Sequence, residues 1–108
     1  MKYVFMGSLA PDWIGRQTER VGKVRAKAGE LGIDIESLFY LQGEYDFIAI
    51  TEASDNYAIL GFSLWYAKQG FGRITTMPAF DEETMERADD FAGPAASRRC
   101  QPAPVAVS

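Results

Sequence analysis

The order in which two periodicities alternate along this chain constrains its fold more than any other feature. Apolar residues at every second position mark a strand, and apolar residues every three to four positions mark a helix. Lys2 to Leu9 alternates, with Tyr3, Phe5 and Gly7 on one face and Val4, Met6 and Ser8 on the other. It is rich in β-formers and predicts a first strand. Ala10-Pro11-Asp12 breaks it, with Asp12 as an N-cap or Pro11 in a first helical turn. From Trp13 to Leu31, the residues Ile14, Val21, Val24, Ala28 and Leu31 recur at helical spacing. Arg16, Arg20, Lys23 and Lys27 take the remaining faces, expected to be solvated, and Gly32 suits the C-terminal end.

Ile33 to Leu41 predicts a second strand, with Ile33, Ile35, Phe39 and Leu41 sharing a parity. Gln42-Gly43 is expected to turn the chain tightly, with Gly43 in the left-handed conformation, before a third strand from Glu44 to Ala53. Ser54-Asp55-Asn56 offers caps for a second helix, Tyr57 to Lys68, and Phe71 to Phe80 predicts a fourth strand. Asp81 is a natural cap for a short helix running to about Phe91, whose acidic first turn suits the helix dipole.

The order β-α-β-β-α-β is that of an α+β chain on the ferredoxin-like plan. It predicts a four-stranded antiparallel sheet with two helices on one face, followed by a short C-terminal helix. The first and third strands are expected at its centre and the fourth at an edge. Residues 1–91 make one domain, and the Pro/Ala/Ser-rich tail, residues 92–108, is expected to have little structure of its own.

Two apolar surfaces have no cover within such a plan. In the second helix Tyr57, Ile59, Leu60, Phe62, Leu64, Trp65 and Tyr66 point almost all the way round, but a sheet covers only one side. Phe62, Trp65 and Tyr66 are therefore expected to meet another subunit, the tail or a partner protein. The ferredoxin-like plan also leaves one sheet face bare. With Tyr3, Phe5, Phe47 and Phe71 on it, that face would be too apolar for water, and sheet-to-sheet packing of subunits is the remedy.

Composition then removes whole classes of function. A length of 108 residues is one domain's worth. The net charge of −4, with no basic stripe interleaved with aromatics, speaks against nucleic-acid binding. The stretch around Ala58 to Leu64 is far short of the ~20 apolar residues that span a bilayer, and Met1 to Gly7 lacks the features of a secretory signal. A soluble, cytoplasmic protein is expected. One cysteine, Cys100, forbids an intrachain disulfide, and the absence of histidine excludes Ser-His-Asp and Cys-His catalysis and imidazole-ligated metals. Gly70-Phe71-Gly72 leads into a strand and is no phosphate loop. The acids from Asp81 to Asp90 lack calcium-loop spacing. No metal or cofactor is expected.

Tyr40-Leu41-Gln42-Gly43-Glu44-Tyr45-Asp46-Phe47-Ile48-Ala49-Ile50 resembles the Gly-Glu-Tyr-Asp hairpin of the GYD domain family. The resemblance continues through Glu52-Ala53-Ser54-Asp55, through Gly70 to Thr76, and through Ala79-Phe80 with the acids that follow, and so covers Met1 to Ala88. It implies the dimeric α/β-barrel type and a homodimer, and it transfers no activity. The aromatic second helix and the tail depart from the family pattern and raise the prospect of a heterologous protein partner.

Three sets of side chains are candidates for chemistry. Tyr45 and Asp46 would form an acid–base pair in a chain without histidine, with Arg73 stabilising an oxyanion or enolate. The structural alternative is a wet turn and an ion pair between Asp46 and Arg73. Tyr3, Tyr66 and Thr75, with Tyr40 and Tyr57, would line a pocket for a flat ligand, but core and interface packing is the preferred account of the tyrosines and strand formation the simplest account of Thr75. Phe62, Trp65, Tyr66, Phe5 and Phe47 are the expected interface. The reading that accounts for most is a non-catalytic assembly or accessory subunit, a homo-oligomer that also docks on a partner. The alternatives are a cofactor-free enzyme acting on a small apolar or aromatic compound, and a small-ligand sensor or carrier.

Overall fold

In the computed structural model, which describes residues 1–95, the strands are β1 (Lys2–Leu9), β2 (Asp34–Tyr40), β3 (Phe47–Glu52) and β4 (Gly72–Ala79). They form one antiparallel sheet in the order β2-β3-β1-β4, with β1 and β3 central and β4 at an edge, as expected. Two helices, α1 (Gln17–Glu30) and α2 (Asn56–Lys68), pack on one face, and α3 (Glu82–Ala92) follows β4. The fold is the expected α+β, ferredoxin-like one. Asp55 caps α2 by accepting from the Tyr57 N–H at 2.8 Å, and Asp81 caps α3 through the Thr84 N–H at 2.8 Å. No helix among the described residues is long and apolar enough to cross a membrane. The greater part of the expected tail, with Arg98, Arg99 and Cys100, lies outside the described residues.

Three local expectations need correcting. The first helix begins at Gln17 and not at Trp13, because Pro11–Trp13 closes a separate 3-10 turn and Gly15, at φ 87°, interrupts the chain. Ile14 is consequently 66% exposed and is off the apolar stripe. The hairpin after β2 is not a tight turn. Its strands stop at Tyr40 and Phe47, Leu41 N–H donates to Asp46 O at 2.8 Å, and Gly43 keeps an ordinary backbone conformation. Thirdly, β2 carries an irregularity between Ile35 and Ser37. It shifts the parity, so that Ile35 and Leu38 pack on the core while Phe39 is exposed.

The faces of the sheet are reversed relative to expectation. Tyr3, Phe5, Phe47 and Phe71 do not lie on the bare face; all four are buried in the core beneath the helices. Phe5 stacks on Phe62 with ring centroids 5.2 Å apart, and Phe71 meets Trp13, Trp65 and Tyr66 edge-on. The Phe47 ring lies where a side chain on Gly7 would be, at 2.3 Å from the Cβ position, so only glycine fits there. Both parities of β1 and β3 are apolar, so alternation alone does not say which one receives the helices. Covering the larger aromatic set removes more apolar area from water. The bare face is left with Val4, Met6, Ile48 and Ile50 at its centre and Phe39 and Met77 on the edge strands.

Candidate functional site

Among the described residues, Arg20 is the one buried side chain with polar atoms left unpaired. It precedes Val24 by four positions and Ala28 by eight, so it shares the stripe of α1 that faces the sheet. Its side chain is 1% exposed. The guanidinium carbon lies 4.9 Å from the centroid of the Phe47 ring and 6.0 Å from that of Tyr40. Nη1 donates a long hydrogen bond of 3.4 Å to the Tyr66 hydroxyl. Nε and Nη2 have no hydrogen-bond partner, and no carboxylate forms an ion pair with Arg20 among the described residues. A buried cation with unused donors is costly, and native structures rarely leave such donors without a partner.

A cavity adjoins this guanidinium between α1 and the sheet, walled by Phe5, Val24, Leu38, Phe47 and Phe62. It offers about 20 Å³ to the centre of a water-sized sphere, which is more than one water requires. Val21, Ile35 and the exposed Arg25 border it along the seam between α1 and β2. Burial pushes the Tyr66 phenol above its ordinary pKa, the Arg20 charge opposes that shift, and the charge of Asp46 adds to it. Tyr66 is thus protonated at neutral pH and holds a hydroxyl hydrogen beside the cation.

The expected acid–base site does not assemble. Asp46 stands just before β3, where its Oδ2 accepts from the Leu9 N–H at 2.7 Å and its own N–H donates to Gly7 O at 2.8 Å. Its carboxylate ties the loop to the end of β1, and no ion pair joins it to Arg73 among the described residues. Arg73 is exposed in β4 opposite Ser8, and Tyr45 is half-buried outside the Arg20 cavity. The three do not line a common pocket.

The expected ligand contacts are dispersed too. Tyr3 is buried and its hydroxyl donates to Asn56, whereas Thr75 is exposed in β4 opposite Met6. Only Tyr66 of that set reaches the Arg20 cavity. Of the expected interface, Phe5, Phe47, Phe62 and Tyr66 are internal, and Trp65 is half-buried against Phe62 and Phe71. The apolar residues of α2 that do meet solvent are Tyr57, at 84% exposure, with Leu60 and Leu64. Arg20 itself escaped the sequence pattern because it was grouped with Arg16, Lys23 and Lys27. Its spacing of four and eight from Val24 and Ala28 is the signal that places it inward.

No functionally curated protein matches the chain. Among solved structures it is similar to the 30S ribosomal protein S6 of Thermotoga maritima, at 18% identity and a TM-score of 0.52. That match covers 82% of this chain and 96% of the ribosomal protein, and at such identity it shows the fold alone. The GYD domain matches over residues 3–88, which include the Gly43-Glu44-Tyr45-Asp46 loop that Asp46 anchors to β1. The chain belongs to the GYD domain family.

Proposed function

We propose that this protein is a non-catalytic subunit that assembles with a second copy of itself through the bare face of its sheet. The observation that carries this reading is the character of that face. Val4, Met6, Ile48 and Ile50 form a centre without charge, and the Lys2–Glu36 ion pair of 2.6 Å sits at one end beside Glu52. An uncharged apolar centre bordered by polar groups has the character of an interface core and rim, and a second copy of the same patch across a two-fold axis would cover it. The third helix adds support. It has 11 residues and none of them is buried, although a helix of that length is marginal alone in water. A neighbouring subunit would give Met85 and Phe91 the cover they lack. The outward side of α2, with Tyr57, Leu60 and Leu64, suits a heterologous partner. A reducing, cytoplasmic setting fits the single cysteine.

Sedimentation equilibrium on the full chain tests the reading. A dimer or larger particle is expected in the micromolar range, and Ile48→Glu should convert it to a folded monomer. A wild-type monomer throughout that range would overturn it. A second reading, a small-ligand sensor or carrier, is favoured by one specific observation, the unpartnered Arg20 in its cavity. The enzyme reading built on Tyr45, Asp46 and Arg73 draws no support from their separate positions.

A further inference from the structure

We infer that the Nε/Nη2 edge of Arg20 is the receptor for the carboxylate of a small apolar monocarboxylic acid. This rests on the ligand-binding reading and names the class of ligand.

The two nitrogens left without partners form one fork. Nε and Nη2 lie on the same edge of the planar guanidinium with nearly parallel N–H bonds, and that edge matches the two oxygens of a carboxylate. The opposite side is already used, because Nη1 donates to Tyr66. Among the described residues, no protein acceptor meets the bidentate edge of this buried arginine.

Charge and shape narrow the class. The acid whose field reaches Tyr66 is Asp46, but its Oδ2 is engaged with the Leu9 N–H and makes no ion pair with Arg20. One negative charge would neutralise the site. The one further cation bordering the cavity is Arg25, which is exposed, so a phosphate dianion seated at the fork would bury a second charge with no buried cation to meet it. Apart from Arg20, Tyr66 and the exposed Arg25 the lining is hydrocarbon and aromatic, so the body of the ligand is apolar. The enclosed space at Arg20 is little more than one water needs, so only a small end group enters it and the rest of a ligand lies outside. A tail would follow the seam between α1 and β2, past Val21 and Ile35, toward solvent.

The side-chain Nε–H signals of the ¹⁵N-labelled full chain test this directly. Sodium acetate, butyrate and hexanoate would be titrated in turn, with hexan-1-ol and inorganic phosphate as controls. One arginine Nε–H resonance should shift saturably with the carboxylates, more tightly as the chain lengthens, and stay fixed with hexanol and phosphate. Arg20→Lys keeps the charge without the fork and should bind hexanoate about tenfold more weakly or worse. Arg20→Met should melt no lower than wild type and lose the hexanoate response, which identifies the shifting signal. A shift with phosphate and none with the carboxylates would overturn the ligand class while leaving ligand binding intact. No shift with either would overturn both.

Discussion

Phe5 and Met6 are neighbours in β1, yet they belong to two different solutions of the same problem. Phe5, at 2% exposure, is sealed beneath α2 by Phe62, whereas Met6 looks out from the bare face beside Ile48. The two faces of the sheet are comparably apolar, and only one is closed by this chain's own helices. The difference teaches that strand hydrophobicity states how much must be buried and leaves open what buries it. An intramolecular helix and a second subunit satisfy the same demand.

Truncating each neighbour should separate the two faces. Phe5→Ala should cost ~3–5 kcal/mol in urea unfolding, because it opens a cavity among stacked rings. Met6→Ala should cost about 1 kcal/mol or less in dilute solution, where its face is still wet, and should raise the dissociation constant of the assembly about tenfold. Equal costs in dilute protein would erase the distinction between the faces.

Asp46→Ala comes next, at ~1–3 kcal/mol, because it strands the Leu9 N–H at the rim where the two faces meet. Asp46→Asn keeps an acceptor and should lose less. An Asp46→Ala protein as stable as wild type would remove the anchoring role. Tyr66→Phe should cost under ~1 kcal/mol at neutral pH, since the bond to Arg20 is long. Its signature lies at alkaline pH. The raised Tyr66 pKa means a contribution that is complete below the ordinary value of 10.0 and is lost as pH rises through the folded-state value. The variant should therefore show a flatter fall in melting temperature as pH rises above 10.0.

The smallest effect concerns α3. Asp81→Ala should reduce helical circular dichroism and leave the melting temperature of the dilute protein unchanged, because no residue of α3 is buried in its own chain. A drop in melting temperature that grows with protein concentration would place α3 in the interface.

Much of the fold was legible because the periods are unambiguous. β1 spans Lys2–Leu9 as expected, α2 differs from expectation by one residue, and Asp55 and Asp81 cap the helices they precede. The first helix was placed four residues too early, because Trp13 and Ile14 continue an apolar spacing that Gly15 interrupts. Phe39 does not share a face with Ile35 as simple alternation predicts, since an irregularity in pairing between Ile35 and Ser37 leaves no mark in residue type. The candidate site was least legible. Asp46 lies in the family's characteristic loop, yet its carboxylate is occupied by backbone, while Arg20 looked like one more surface cation.

By itself the sequence determined the elements, their order and hence the ferredoxin-like topology, because local periodicity and capping depend on residues a few positions apart. It also determined that apolar surface would outrun what two helices can cover. Which parity of β1 and β3 turned inward, and that Arg20 was carried into the core with no carboxylate paired to it among the described residues, came from the tertiary structure. Those outcomes depend on which surfaces meet across the chain, where Phe62 of α2 stacks on Phe5 and Tyr66 meets a guanidinium 46 positions away. Such contacts are chosen by the total area buried, and no window of neighbouring residues contains that sum.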